Sequence, residues 1–173
     1  PESNFSSSLH PLALRLFCGL HGKRSHTETR ESILKVFITG GTGLVGRHLV
    51  RRLLERGDAV TVLTRSRESA LEKLPGAVEV VEGNPVVPGD WQVLPGRHDA
   101  VVNLAGTPVF EGWWTKGRKR KIRRSRLSTT FNVVDSLEEI DHPITLVSAS
   151  AVGFYGDGGN QALPETAQPG DGF

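Results

Sequence analysis

The sequence lacks several features or contains very few of them. These absences limit the possible fold classes and the possible cellular compartments. Among its 173 residues there is no methionine, one tyrosine and a single cysteine, Cys18. One cysteine rules out an internal disulfide framework and is compatible with a reducing compartment. No apolar run approaches the roughly 18 residues that a membrane-spanning helix needs. The net charge of only +2 provides no global field that would attract nucleic acid.

The first part of the chain differs in character from the rest. The sequence starts with proline and stops directly after a loop-like stretch, which predicts a fragment or a gene model with unusual ends. Residues 1–33 are rich in serine and scattered basic residues, so we expect a disordered leader or a targeting segment there. Serine, arginine and amphipathic character favour an organelle transit peptide, whereas Glu2, Glu28 and Glu31 oppose it. We therefore expect a cytoplasmic protein, or one in a plastid or another organelle if this segment is a transit peptide.

A glycine-rich turn follows the first predicted strand, in the stretch KVFITGGTGLVG at 35–46. Gly40, Gly43 and Gly46 repeat at a spacing of three, which makes the pattern G-x-x-G-x-x-G a relative of the dinucleotide fingerprint. The first glycine allows a sharp turn, and the second lets backbone N–H groups approach a pyrophosphate. The third lets the following helix pack closely on the sheet. A tight turn between strand and helix with no ligand is the competing interpretation.

The residues after the turn complete a βαβ unit. An apolar stripe predicts a helix from Arg47, Gly57 is a natural end for it, and residues 59–63 form a second apolar strand. Further short strands are predicted at 78–81, 100–106 and 144–147, with a short helix at 69–74. This order predicts an α/β fold for residues 34–173, a Rossmann-type doubly wound parallel sheet of about five strands that is C-terminally incomplete.

The end of the second strand favours one form of the cofactor. An NAD site usually places Asp or Glu there to bind the ribose 2′-hydroxyl. Here the strand ends in Thr64, Arg65, Ser66 and Arg67, with no acid before Glu68. Arginine binds a 2′-phosphate through charge-assisted hydrogen bonds, so we expect NADP rather than NAD. Surface arginines at the start of the next helix are the competing interpretation.

A dense basic run lies further along the chain. Eight of the eleven residues 116–126 are Lys or Arg. Such a run could bind nucleic acid or acidic lipid, but a solvated helix start is the favoured interpretation. A helix is predicted to follow from Arg126, and its apolar residues are expected to face inwards. They are Leu127, Val133, Val134 and Leu137.

Several segments in order resemble a known family. They are GGTGLVG (40–46), VNLAGTPV (102–109), SR (125–126), SASAVGFYGDGG (148–159) and PGDGF (169–173). Together they resemble the atypical or extended short-chain dehydrogenases/reductases of the NAD-dependent epimerase/dehydratase superfamily, in the YfcH-like branch. The resemblance implies that the glycine turn takes the phosphates, Arg65 the 2′-phosphate, and residues 104–106 the adenosine ribose. The predicted cofactor-binding residues are Gly40, Thr42, Gly43, Leu44, Val45, Gly46, Thr64, Arg65, Arg67, Leu104, Ala105 and Gly106.

The same resemblance implies a catalytic hydroxyl. In the superfamily a serine or threonine after the fifth strand hydrogen-bonds the reacting oxygen of the substrate. Ser150 matches best, with Ser148 as the alternative. Active members also use a Tyr-x-x-x-Lys pair, in which the tyrosine exchanges a proton. Here Tyr155 is followed at that spacing by Gly159, and the expected tyrosine position falls close to Phe173.

Two functions remain open from the sequence. The first is the NADP-binding domain of an epimerase- or reductase-like enzyme that acts on a nucleotide sugar or another small carbonyl compound. The alternative is a non-catalytic NADP-binding regulatory protein linked to cell or plastid division. A nucleic-acid-binding module built on the basic run is the weakest third reading. No metal site and no membrane partner are predicted, and self-association as a homodimer is left open.

Overall fold

The computed structural model describes residues 32–109 and 112–170. The predicted leader therefore lies outside the described residues, apart from its last two positions. The strands are β1 (Lys35–Thr39), β2 (Ala59–Thr64), β3 (Glu79–Glu82), β4 (Ala100–Asn103) and β5 (Thr145–Ser148). The α-helices are α1 (Leu44–Arg56), α2 (Arg67–Leu71) and α3 (Lys116–Asp135), and short 3-10 helices span Asp90–Val93, Pro95–Arg97 and Val152–Tyr155.

The five strands form one sheet in the order β3-β2-β1-β4-β5, and every pair is parallel. The chain winds outwards from β1 to β3 and then returns to the other side of β1 with β4. The winding therefore reverses between β1 and β4. In open α/β sheets this reversal opens a crevice beyond the carboxyl ends of the two strands, where ligands bind.

Alternate residues of the central strands pack on opposite faces of the sheet, as period-two strands require. On one face Val36 and Ile38 pack with Val50 of α1 and Ala70 of α2. On the other face Phe37 packs with Val133 of α3 and with Trp91, whose ring stacks at 6.5 Å between centroids. Helices thus cover both faces, and the predicted Rossmann-type doubly wound sheet is confirmed.

The boundaries of α3 differ from the prediction. The helix begins at Lys116, with Thr115 as its N-cap, rather than at Arg126. The basic run therefore forms its first half, which agrees with the favoured interpretation of that run as a helix start. The Thr115 side chain accepts a hydrogen bond from the Arg118 N–H at 3.2 Å, which satisfies one of the donors that a helix start leaves unpaired. Arginine and lysine are also good helix formers, so the basic run needs no apolar period to become helical.

The inward face of α3 also differs in part. Val133 is buried and Leu137 is partly buried against the core, as predicted. Leu127 and Val134 were expected inside but are 60% and 41% exposed. Their places are taken by polar and small side chains at helical spacing, because the face towards the sheet is formed by Ile122, Ser125, Thr129, Asn132 and Val133.

Candidate functional site

The glycine turn, residues 40–46, lies in close contact with the loop after β4. Gly40 has a φ of +74°, a conformation that glycine adopts at little cost. A Cβ atom on Gly40 would lie 2.7 Å from the Ala105 nitrogen and from the Leu104 carbonyl carbon. We call residues 104–107 the β4 loop. The glycine turn and the β4 loop therefore meet at the position where the winding of the sheet reverses.

The third glycine brings the helix close to the turn. A Cβ atom on Gly46 would lie 2.4 Å from the Gly40 carbonyl oxygen and 2.6 Å from Gly41 Cα. These distances are far below any normal contact, so only glycine permits this approach. The pattern predicted close packing of the helix on the sheet at this position, and the close contact that the structure shows is with the glycine turn after β1.

The N-terminus of α1 has no side-chain cap. Its N-cap is Gly43, which has no side chain to accept a hydrogen bond, and the first turn holds no acid. Leu44 and Val45, which follow it, are 70% and 65% exposed. The first N–H groups of a helix have no intrahelical acceptor, and the helix dipole makes this end positive. This end of α1 is therefore suited to bind an anion such as a phosphate.

The two arginines after β2 have different environments. Arg65 is exposed, and no hydrogen bond or ion pair joins it to another of the residues that the structure describes. The Arg67 guanidinium donates a hydrogen bond to the Val80 carbonyl oxygen, and its backbone N–H donates to Glu82 at 3.2 Å. Arg67 is therefore directed towards β3. Of the two predicted 2′-phosphate ligands, Arg65 is the one whose guanidinium is available without breaking a bond.

A polar network joins the carboxyl ends of β1, β4 and β5. The Thr39 hydroxyl donates to the Asn103 amide oxygen at 2.7 Å, and both residues are buried. The amide nitrogen of Asn103 donates to Thr130 at 3.2 Å and to the Ser148 hydroxyl at 3.3 Å. The Ala105 N–H donates to the Thr39 hydroxyl at 3.3 Å. This network fixes the β4 loop over the end of β1.

The two candidate serines have different roles in this arrangement. Ser148 is the last residue of β5, and its hydroxyl accepts the hydrogen bond from Asn103. Ser150 lies two residues further on, is exposed, and has no hydrogen bond to another residue within 32–109 or 112–170. Ser150 is therefore the serine whose hydroxyl can meet a ligand, and Ser148 stabilises the edge of the sheet.

Three members of this network were not predicted. Thr39, Asn103 and Thr130 were not among the predicted site residues, because each looks like an ordinary polar residue of a strand end or a helix. The strand register could have revealed the first of them. Thr39 and Asn103 are direct partners in the β1–β4 pairing, and polar residues that end two neighbouring parallel strands meet at one edge of the sheet.

Within residues 32–109 and 112–170, no group of three or more His, Cys, Asp and Glu side chains is arranged to hold a metal ion. None of the helices in that part of the chain is both long enough and apolar enough to cross a bilayer.

The chain belongs to the NAD-dependent epimerase/dehydratase family. The model of that family matches residues 36–171, which is well over half of the chain. The matched region includes the glycine turn, the β4 loop and the segment after β5. The resemblance predicted from the sequence motifs is therefore confirmed at the level of the family.

Curated relatives are about one third identical to this chain over the residues that align. The chain is 36% identical over 149 residues to the chloroplastic epimerase family protein SDR39U1 homolog of Arabidopsis thaliana, covering 82% of this chain and 41% of the relative. It is 34% identical over 140 residues to the epimerase family protein YfhF of Bacillus subtilis, covering 80% and 44%. The chain thus spans less than half the length of these relatives.

Solved structures of more distant proteins share the fold. A UDP-galactose 4-epimerase superposes with a TM-score of 0.66 at 24% identity, over 79% of this chain and 44% of that chain. The UDP-glucose 4-epimerase of Thermus thermophilus, solved in complex with NAD, gives a TM-score of 0.66 at 23% identity, over 78% and 44%. These similarities show that the Rossmann-type architecture is shared.

Proposed function

We propose that this chain is the NADP-binding part of an epimerase- or reductase-like protein that acts on a nucleotide sugar or another small carbonyl compound. The observation that carries the proposal is the uncapped, acid-free N-terminus of α1 at the reversal between β1 and β4. A dinucleotide pyrophosphate fits such a site because backbone N–H groups and the helix dipole both favour its negative charge. NAD is the ligand of the Thermus thermophilus epimerase with this fold.

The preference for NADP rests on the end of β2. Arg65 is exposed and available, and no acid stands beside it before Glu68. A carboxylate at this position would repel a 2′-phosphate, whereas a guanidinium binds it with charge-assisted hydrogen bonds. In this proposal Arg67 supports the segment through its bond to Val80 and is the secondary ligand.

Binding constants test this proposal. Isothermal titration calorimetry with NADPH and NADH should give tighter binding of NADPH, by about tenfold or more, because one charge-assisted contact of this kind contributes roughly 1.5–3 kcal/mol. Arg65→Gln should remove most of the difference and leave NADH binding unchanged. Equal affinities of the wild-type chain for the two cofactors would refute the NADP assignment, and no binding of either would refute the dinucleotide site.

The proposed chemistry involves Ser150. Its hydroxyl would hydrogen-bond the carbonyl oxygen of the substrate while the nicotinamide exchanges a hydride with the carbonyl carbon. The second candidate function is a non-catalytic NADP-binding regulatory protein. It is favoured by Tyr155, the one tyrosine of the sequence, which is followed at the i+4 position by Gly159 instead of lysine. Tight NADPH binding without oxidation of NADPH by any carbonyl substrate would support this second function.

We also propose that α3 mediates self-association. Leu127, Phe131 and Val134, at i, i+4 and i+7, form an exposed stripe opposite the buried face, and Phe131 is 69% exposed. The first half of α3 is strongly basic, whereas residues 135–141 contain four acids and no Lys or Arg. An antiparallel pair of α3 helices centred on Phe131 would bury both stripes. It would also bring Arg124 of each copy near the acidic segment of the other.

A further inference from the structure

Arg126 of α3 contacts the β4 loop. It is partly buried, as are Arg118 and Lys119 of the same helix, and its guanidinium lies against Gly106. A Cβ atom on Gly106 would lie 3.1 Å from Arg126 Nη1 and 3.2 Å from its Cζ. The guanidinium therefore packs directly on the Gly106 backbone, which is free of a side chain there. This contact places a positive charge at the carboxyl edge of β4.

The neighbouring residue fixes this position. The buried Ser125 hydroxyl accepts a hydrogen bond from the Thr107 N–H at 3.0 Å and donates to the Ile122 carbonyl oxygen at 2.8 Å. The β4 loop is thus bonded to α3 one residue before Arg126. The other end of the same loop contacts Gly40 of the glycine turn. Arg126 is therefore held beside the candidate cofactor site by the same contacts that shape that site.

The Arg126 guanidinium is unpaired in the part of the chain that the structure describes. No hydrogen bond or ion pair joins its guanidinium to another residue in 32–109 or 112–170. Arg118 donates to the Pro108 carbonyl oxygen at 2.7 Å through Nη2, although its buried Nε has no hydrogen-bond partner among the described residues. A partly desolvated guanidinium without an anion is costly, and its planar fork matches two oxygens of a phosphate. The geometry suits a ligand that supplies the missing anion.

We infer that Arg126 binds a diphosphate group held over the β4 loop. The inference rests on the proposed function, because a dinucleotide on the glycine turn carries its pyrophosphate to this edge of the sheet. A substrate that contains a nucleoside diphosphate would supply the same phosphate oxygens in place of the cofactor. Arg126 acts in either case as a binding residue that neutralises the phosphate oxygens, and it adds to the donors of the α1 N-terminus.

The test compares three ligands on Arg126→Gln by isothermal titration calorimetry. NADPH and UDP contain a diphosphate, whereas adenosine 2′-monophosphate engages only the Arg65 end of the site. The variant should weaken NADPH binding about tenfold and leave adenosine 2′-monophosphate binding unchanged. If only the affinity for UDP decreases, Arg126 contacts the diphosphate of a substrate instead of that of the cofactor. Wild-type affinities of the variant for both NADPH and UDP would overturn the inference.

Two further variants separate a local contact of Arg126 from a general effect of the charge of α3. Arg123→Gln removes the same charge from an exposed position of the same helix, so NADPH should bind it as it binds the wild-type chain. Arg126→Lys keeps the charge without the two-pronged geometry and should recover only part of the lost affinity. If the wild-type chain binds neither NADPH nor UDP, both the inference and the dinucleotide site fail. If Arg123→Gln weakens NADPH binding as much as Arg126→Gln, only the inference fails.

Discussion

Replacing Gly40 by alanine tests the contact between the glycine turn and the β4 loop. The substitution carries two separate costs. Gly40 has a φ of +74°, and an L-residue in the left-handed region costs about 1–2 kcal/mol. The new Cβ atom would also lie 2.7 Å from backbone atoms of Leu104 and Ala105. Backbone yields less than a side chain, so this overpacking adds about 1–3 kcal/mol.

The chain offers a matched control for the first cost. Gly57 ends α1 with a φ of +91°, but a Cβ atom there would have no neighbour within 4 Å. Gly57→Ala should therefore lose only the roughly 1–2 kcal/mol of backbone strain. The difference between the two variants isolates the close approach of the β4 loop, which we expect to be worth about 1–3 kcal/mol.

Urea unfolding followed by circular dichroism measures both variants. Gly40→Ala should lower the free energy of unfolding by about 2–5 kcal/mol in total. It should also weaken NADPH binding at least tenfold, because the displaced turn moves the N-terminus of α1. Gly57 lies at the far end of the 13-residue α1, so Gly57→Ala should bind NADPH as the wild type does. If the two variants lose equal stability and bind NADPH alike, the contact at Leu104 and Ala105 does not have the effect assigned to it.

Two further predictions concern the strand-end serines and the outer face of α3. Ser148→Ala should lower the free energy of unfolding by about 0.5–1.5 kcal/mol, since Asn103 loses an acceptor. Ser150→Ala should change the free energy of unfolding by less than about 0.5 kcal/mol and leave NADPH affinity intact. A larger loss of stability would contradict the observation that the Ser150 hydroxyl makes no hydrogen bond to the described residues. Phe131→Glu should convert a self-associating chain to a monomer in analytical ultracentrifugation. A wild-type chain that is monomeric at every concentration would refute the α3 pairing.

The fold and the glycine turn could be predicted from the sequence because their signals are local. Short β-branched strands, three glycines at a fixed spacing and an apolar helical stripe each depend on residues within one turn or strand. The order strand, turn, helix, strand then favours one arrangement, a βαβ unit. In that unit the two strands are parallel and the helix forms the crossover between them. The contact of Gly40 with the β4 loop follows from that arrangement, although its distance does not.

The start of α3 was missed because the prediction relied on apolar periodicity. Residues 116–126 contain one strongly apolar side chain, Ile122, which is too few for a stripe. The capping residue Thr115 was the available signal. With the helix placed from Lys116, Arg126 falls one turn after the buried Ile122 and next to Ser125, on the side that faces the sheet. The distinct position of Arg126 therefore depended on a boundary that charge alone could not reveal.

The roles of the two serines could not be separated by sequence because both lie at the end of the same strand. The difference arises from Asn103, which is distant in the chain and reaches Ser148 across the sheet. The difference between Arg65 and Arg67 likewise arises from a residue on another strand, Val80. The contact between Asn103 and Ser148 follows from the β4–β5 register, whereas Arg67 begins α2 and its bond to Val80 joins that helix to β3.

The most direct test of the proposed site is a map of backbone amide shifts on titration with NADP+. Two-dimensional nitrogen–proton NMR of the labelled chain reports each backbone N–H separately. We expect the largest shifts at residues 41–46, which include the first N–H groups of α1, with further shifts at Arg65 and residues 104–107. Shifts confined to the outer face of α3, or none at the glycine turn at saturating NADP+, would contradict the account.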